Sequence, residues 1–485
     1  MPSTTFGRHG KRMNRNTIFT LVAIATSTMV ACGGGTGDPD AGAQDDAGRD
    51  AGDRDAGPVL PDAGADAGPP APSCTTGCAI VELALGSDHS CARRENGEVL
   101  CWGRDQEGQL GDLRDRHEQC GSTGSEPQDC SGVAVRVQRA GTGSPVLDDA
   151  VQISTQGSST VCALRESGET WCWGFRLRAS TMPTVSRTAE RFGDFAEIHQ
   201  ISEGSLHRCL IQGTDRIAVC SGFNGAGQLG VGDLMNLDMP SLTTPVLDPT
   251  GTSPITGTQE IHVSGWGDNT CARTNDTVYC WGNNVDGQVG DNMPPFDTCF
   301  EDGRPFDCVN LPRSVPLTDV AQLTVGRRHT CALRSGTLAG RLDCWGDNRA
   351  RQLGDATAPS LPSPTEVAGI TGVAQVVAGA YFTCARSTAG AVHCWGLNRY
   401  GQVGDGMTSH GETCTIGSTI GDCAAAPVQV SGIDDATFIA AGSSHACAIR
   451  ASGEVWCWGS NNNKQIGDNT QTDRPAPVRV TAIPQ

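Results

Sequence analysis

The chain has 485 residues and a formal net charge of −19, which argues against nucleic-acid or anionic-membrane binding, since both need a basic surface. Twenty-three cysteines place it in an oxidising compartment. No stretch keeps a helical apolar period over a useful length, which excludes a helical core.

In chain order, Arg8, Lys11, Arg12 and Arg15 form a basic start. Residues 18–30 are apolar apart from short threonines and a serine, a core too short for a comfortable membrane span. Met29-Val30-Ala31-Cys32-Gly33 follows and resembles a bacterial lipoprotein cleavage box, with Met29 where leucine is usual. The expectation is a signal peptide over 1–31 and a lipid on Cys32, the first residue of the mature chain. The alternative is an ordinary signal peptide with a spare thiol. By the sorting rules of such lipoproteins, Gly33 implies the outer membrane. Residues 32–78 read as an acidic tether. Positions 33–73 hold nine aspartates against two arginines, with glycine, alanine and proline around them. Nothing there offsets the entropy of ordering.

From residue 79 to 485 one unit recurs seven times. The first copy contains GSDHSCARRENGEVLCWGRDQEGQLGD, residues 86–112, and the last GSSHACAIRASGEVWCWGSNNNKQIGD, residues 442–468. A cysteine pair brackets a turn in each: Cys91/Cys101, Cys162/Cys172, Cys209/Cys220, Cys271/Cys280, Cys331/Cys344, Cys384/Cys394 and Cys447/Cys457. Turn residues such as Asn96-Gly97, Ser167-Gly168, Asn275-Asp276 and Ser452-Gly453 lie midway. Cysteines equidistant from a turn suit cross-strand disulfides in β-hairpins. Zinc knuckles need closer spacing, so no metal is expected there. Cys120/Cys130, Cys299/Cys308 and Cys414/Cys423 follow repeats one, four and six inside insertions, and Cys74/Cys78 make an eleventh pair.

Each unit reads as four short strands. The first ends at a glycine, the second and third carry the two cysteines, and the fourth starts near proline, as in APVQV and APVRV. Seven such units predict an all-β, seven-bladed β-propeller of four-stranded blades, with about 28 strands. The runs near Val81 and Val478 are expected to share a blade and close the ring.

The pattern Gly-x-x-His-x-Cys-Ala-Leu, turn, Val-x-Cys-Trp-Gly, Asn-x-x-Gly-Gln-Leu-Gly resembles the regulator of chromosome condensation repeat over about residues 79–481. That resemblance implies the same seven-bladed propeller, here in an exported variant, because nuclear members lack the hairpin cysteines. Repeat two stops after Trp173-Gly174 without Gly-Gln-Leu-Gly, and repeat three has Ser221 for tryptophan. The repeat histidine is His89, His207, His329 and His445, but Thr160, Asn269 and Phe382 elsewhere. Gly108, Gly227, Gly287 and Gly401 are expected at turns of positive φ. Trp102, Trp173, Trp281, Trp345, Trp395 and Trp458 are expected between blades, and the histidines are expected to cap backbone groups.

No Gly-x-Ser-x-Gly, His-Glu-x-x-His or phosphate-loop motif is present. The expectation is a monomer with no catalytic residue, metal or cofactor, anchored in the envelope through Cys32. It binds an unidentified protein or glycan through loops on one propeller face, including the three stapled insertions. Phe296, Phe300 and Phe306 in the fourth repeat fit such a face. The alternative is a structural or decoy surface protein. Family analogy alone adds inhibition of a secreted enzyme and guanine-nucleotide exchange.

Overall fold

The computed structural model describes residues 77–483, apart from 122–127, 142–145, 158, 177–183, 194, 196, 237–243, 276, 302 and 418. Cys32, Cys74, the signal segment and most of the tether lie outside the described residues. The sheets build a unit of Pro58–Ile416 and Ile420–Gln485. It is all-β, with thirty strands and one 3-10 turn, Gly336–Leu338, among the described residues.

Seven antiparallel sheets form the blades. Blade 1 runs Ile80–Leu85, His89–Arg94, Val99–Arg104 and Gln128–Arg136, with Glu118–Cys120 outermost. Blade 2 is Ala150–Ser154, Thr160–Arg165, Thr170–Arg176 and Thr184–Arg191, while blade 3 shows, among the described residues, Ile198–Glu203, His207–Gln212 and Ile217–Gly222. A single bridge from Val219 to Pro245 stands where its fourth strand belongs. Blade 4 is Glu260–Val263, Asn269–Arg273, Val278–Asn283 and Arg304–Val315, with Asp297–Glu301 outermost. Blade 5 is Val320–Val325, His329–Arg334, Leu342–Asp347 and Ser360–Glu366. Blade 6 is Val373–Ala378, Phe382–Ser387, Val392–Leu397 and Thr419–Gln429, with Thr413–Ile416 outermost. Blade 7 is Ala436–Ala441, His445–Arg450, Val455–Gly459 and Arg474–Arg479.

In every blade the hairpin cysteines sit directly opposite each other on the second and third strands. The disulfides are Cys91–Cys101, Cys162–Cys172, Cys209–Cys220 and Cys271–Cys280, then Cys331–Cys344, Cys384–Cys394 and Cys447–Cys457. Their Cα atoms are 4.0 to 4.2 Å apart, the spacing of a non-hydrogen-bonded cross-strand pair. All fourteen sulfur-bearing residues are fully buried. Cys120–Cys130, Cys299–Cys308 and Cys414–Cys423 are also joined, at Cα distances of 5.8 to 6.0 Å. Cys78 is disulfide-bonded as well.

Beyond the third-strand cysteines the ladder departs from the four even strands expected of each unit. The register with the fourth strand shifts immediately after Cys101, Cys172, Cys280, Cys344, Cys394 and Cys457. In each case the shift ends at the glycine two residues on, whose φ lies between +90° and +106°. A bulge there bends the strand and re-aims the intervening tryptophan. Cys220 is the exception, because among the described residues blade 3 has no fourth strand to pair with.

The repeated tail and the Cys-Trp-Gly triplet meet across six of the seven seams. The indole N–H of Trp102 donates to the Gln465 carbonyl of blade 7, and Trp281 and Trp345 donate likewise to Gln228 and Gln288 of the preceding blade. Trp173, Trp395 and Trp458 repeat the bond with Gln109, Gln352 and Gln402. All six indoles are fully buried. The last glycine of the tail makes room for the ring: a Cβ on Gly404 would stand 2.6 Å from Trp458 Nε1.

This linkage explains the two sequence departures as one. Blade 2 has no tail, so blade 3 has no socket for an indole, and Ser221 replaces it. Arg208 fills the space. It is buried, pairs with Glu203 at 2.8 Å, and lies 4.2 Å over the ring of Phe192 from blade 2.

Ring closure differs from the expectation. The first strand of blade 1 and the last of blade 7 do not share a sheet. They belong to neighbouring blades and close the ring by packing. Ile80, Leu83 and Leu85 form one core cluster with Ile449, Val455 and Ala482. The repeats supply a full set of strands to each end blade, so no strand needs to be exchanged.

Candidate binding face

The strands of a blade alternate in direction, so the turns after the first strands and the connections after the third strands lie on one face. The disulfide hairpin turns lie on the other. The first face carries the lengthened turn of blade 4 and the three stapled insertions.

At its centre the turn of blade 4 is lengthened. Ser264 N bonds to Asn269 O, spanning five residues, whereas Gly86 N bonds to His89 O across three. The extra residues place Trp266 in the channel mouth. Its indole N–H lies 3.0 Å from Ser87 Oγ and 3.1 Å from Ser443 Oγ, on blades 1 and 7. Arg327 stacks over Tyr381 at 5.3 Å beside it. The cavity lined by Trp266, Arg327, Ala380 and Ser443 holds about 20 Å³, near one water and far below the ~300 Å³ of a small-molecule site.

Around the channel, the repeat histidines bind hydroxyls of the next blade rather than backbone groups. His445 Nε2 lies 2.9 Å from Ser90 Oγ, and His207 and His329 face Thr270 and Thr383 at 2.8 and 3.0 Å. Each hydroxyl donates its proton to the same glutamine carbonyl that holds the tryptophan. The hydroxyl must therefore accept from Nε2–H, which sets the tautomer. His89 instead meets Thr155, whose hydroxyl donates to the Thr160 carbonyl and stands in for the missing hydroxyl at Val161. The glycine of Gly-x-x-His is a packing requirement, since a Cβ on Gly442 would sit 2.6 Å from His445 Cε1. The four histidines lie in four separate seams and form no common site.

Burial keeps these imidazoles neutral, lowering His89, His207 and His445 to about 3 and His329 to about 4. In the unfolded chain they take up protons near pH 6.5. Their neutral form therefore stabilises the fold above that pH, and the contribution is lost as pH falls towards the folded values. The stability of a His445→Gln variant should fall less steeply between pH 6 and 4, by up to about 1.4 kcal/mol per pH unit. Parallel urea titrations across that range check this.

The stapled insertions are sheet, not loop. Each adds an edge strand whose hairpin tip passes the end of the third strand: Asn283 pairs with Cys308, and Leu397 with Cys423, so the residues before those cysteines project outward. Two of these hairpins also grip the tail of the preceding blade. Lys464 of blade 7 pairs with Glu118, and Arg351 of blade 5 with Glu412 at 2.6 Å. Both basic residues stand at the tail position that is Gly108, Gly227, Gly287 and Gly401 in other blades. All six adopt positive φ, from +60° to +80°. The ion pair compensates for side chains in a conformation that favours glycine.

The six most exposed large apolar side chains among the described residues all belong to these connections. Leu113, Met235, Met293 and Met407 follow the tail Gly-Asp by one or two residues, and Phe300 and Ile420 lie at the hairpin tips; they are 55% to 70% exposed. Of the other insertion phenylalanines, Phe296 is held under Arg313 at 5.2 Å and packs on the core. The sequence shows the insertions and Phe300. It hides the apolar series, because the residues before each methionine vary.

Family models described as Regulator of chromosome condensation (RCC1) repeat match residues 80–109, 275–333, 339–386, 373–402, 389–449, 436–465 and 452–485. The ultraviolet-B receptor UVR8 of Arabidopsis thaliana is 30% identical over 172 residues, 35% of this chain and 36% of that protein. The probable E3 ubiquitin-protein ligase HERC6 of Homo sapiens is 26% identical over 64% of this chain and 28% of its own length. The chain thus spans little more than a third, or less, of these relatives. Among solved structures, human WBSCR16 superposes with a TM-score of 0.60 at 17% identity, covering 79% of this chain and 94% of that one. Prp20p of Saccharomyces cerevisiae, described with binding to Gsp1p and histones, gives 0.57 at 20% identity over 75% and 80%.

Proposed function

Because the chain carries regulator of chromosome condensation repeats on a seven-bladed propeller, we propose that it is a non-enzymatic binding platform, held in the cell envelope by a lipid on Cys32, that engages a protein through its third-strand face. The observation that carries this reading is the series Leu113, Met235, Met293, Phe300, Met407 and Ile420, exposed on one face. A disulfide-stapled frame loses little backbone entropy on docking, and exposed apolar side chains on it mark a contact surface. They are distributed over blades 1, 3, 4 and 6, which suits a large partner rather than a small ligand. The closed channel mouth under Trp266 agrees with that. Prp20p, a protein of the same fold, is described as binding proteins, which supports a protein over a glycan. Ligase activity in the human relative belongs to a protein more than three times the matched length and is not carried over.

Cross-linking in intact cells followed by membrane fractionation tests the proposal. The native chain should give a discrete protein adduct in the membrane pellet. Joint replacement of Leu113, Met235, Met293 and Met407 by serine should abolish the adduct without lowering thermal stability. Cys32→Ser should move the chain to the soluble fraction. An unchanged adduct in the serine variant would place binding on the opposite face, and no adduct in any form would favour a structural or decoy role.

A further inference from the structure

Two stapled insertions carry a histidine among carboxylates, and the two sites differ in a telling way. In blade 6, His410 is satisfied on both nitrogens. Nδ1 meets Asp422 at 2.6 Å and Nε2 meets Asp405 at 3.0 Å, while Asn398 offers its amide to the same group. In blade 1 the corresponding residues are His117, Asp129, Asp112 and Asp105. Here Nε2 bonds to Asp112 at 3.0 Å. Nδ1, however, makes no well-aligned hydrogen bond, only charge contacts with the carboxylates in front of it, although the His117 side chain is only 3% exposed. It points between Asp105 Oδ2 at 3.2 Å and Asp129 Oδ2 at 3.8 Å, and Asp129 Oδ2 is buried without a hydrogen bond too.

Asp105 is itself a departure. The same tail position is Asn224, Asn284, Asn348, Asn398 and Asn461 in five other blades. There the side-chain oxygen accepts the backbone N–H five residues on, as Asp105 Oδ1 does with Leu110. The aspartate keeps that turn and turns the remaining amide donor into a second acceptor. Arg187 of blade 2 reaches the same oxygen at 3.2 Å.

We propose that Asp105, His117 and Asp129 bind one divalent cation of the zinc class, with Asp112 as the positioning residue. Tetrahedral zinc with bonds near 2.0–2.1 Å separates its ligands by about 3.3 Å, and the two distances to Nδ1 bracket that value. A carboxylate holding the far N–H of a ligating imidazole is the usual support of such a site. Asp112 does this through Nε2, leaving Nδ1 free for the metal. Arg187 stays on Asp105 beside the cation, and solvent supplies the fourth ligand. The cation would pin the blade 1 hairpin, and with it the Glu118–Lys464 grip on blade 7, to its own tail.

The full chain, oxidised and stripped of metal, should bind one equivalent of Zn²⁺ in equilibrium dialysis. Co²⁺ in its place should show the intense visible bands of a four-coordinate site. Asp105→Asn is the decisive variant, because five blades already tolerate asparagine there, so the fold is retained. It should weaken Zn²⁺ binding at least tenfold, and Asp112→Asn by about 10- to 100-fold. Asp422→Asn in blade 6 should leave the stoichiometry unchanged. No bound zinc in the native chain, or equal affinity in Asp105→Asn, would overturn the proposal and leave His117 as an imidazolium within a purely structural ion-pair cluster.

Discussion

Trp102→Ala should cost about 3–5 kcal/mol of folding stability, the range for deleting a large buried aromatic side chain. The indole is fully buried at the seam where blade 7 meets blade 1, and its N–H is bonded to the Gln465 carbonyl. Removal empties the socket over Gly467 and takes one of two donors, the other being the Ser90 hydroxyl, from the Gln465 carbonyl. Because this seam closes the ring without an exchanged strand, the loss falls on the one joint that chain connectivity does not reinforce. Guanidinium titration of the oxidised protein gives the number. The converse substitution sharpens the test. Ser221→Trp restores the repeat consensus in blade 3, yet it should destabilise by about 1–3 kcal/mol through overpacking. Blade 2 has no tail to receive an indole there. If Ser221→Trp stabilised the protein, the pairing of tail and tryptophan would be wrong.

Arg208→Ala should be equally costly, about 3–5 kcal/mol, for an electrostatic reason. Arg208 and Glu203 are both almost fully buried, and their 2.8 Å contact is the compensation for burying either charge. Truncating one partner strands the other in an apolar seam. The loss of contact with the Phe192 ring adds to it. Replacing both, as Arg208→Met with Glu203→Leu, should recover most of the loss, because an apolar pair of similar volume is often neutral or stabilising. Thermal unfolding of the two variants side by side decides between a needed charge pair and simple filling of space.

The two predictions concern opposite cases of legibility. The tail and Cys-Trp-Gly motifs recur in the sequence, and recurrence is itself spatial information: residues at one phase of the repeat must meet residues at another phase of the next blade. The number of blades, the second and third strands and the cysteine register of each hairpin follow from that period, because a turn fixes which residues face each other over ten positions. The role of the repeat histidine was less accessible. Its capping partner proved to be a hydroxyl one blade away, some sixty residues distant as with His207 and Thr270, and no local pattern shows which polar groups converge across a seam.

What departs from the repeat needed the tertiary structure. Nothing in the sequence marks Arg208, and its burial follows from the missing tail of blade 2, which empties the space beside it. Trp266 sits in a turn only two residues longer than its counterparts, yet it reaches Ser87 and Ser443, 179 and 177 residues away. His117 and Asp105 lie twelve residues apart and look unrelated. The edge hairpin folds back along the tail and sets the imidazole against two carboxylates. By itself, the sequence determined the seven-bladed frame and its cysteine registers, because these rest on short-range geometry repeated seven times. The closure of the ring, the plugged channel and the blade 1 cluster were decided by contacts between distant segments, where the physical constraint is the packing of one blade on the next.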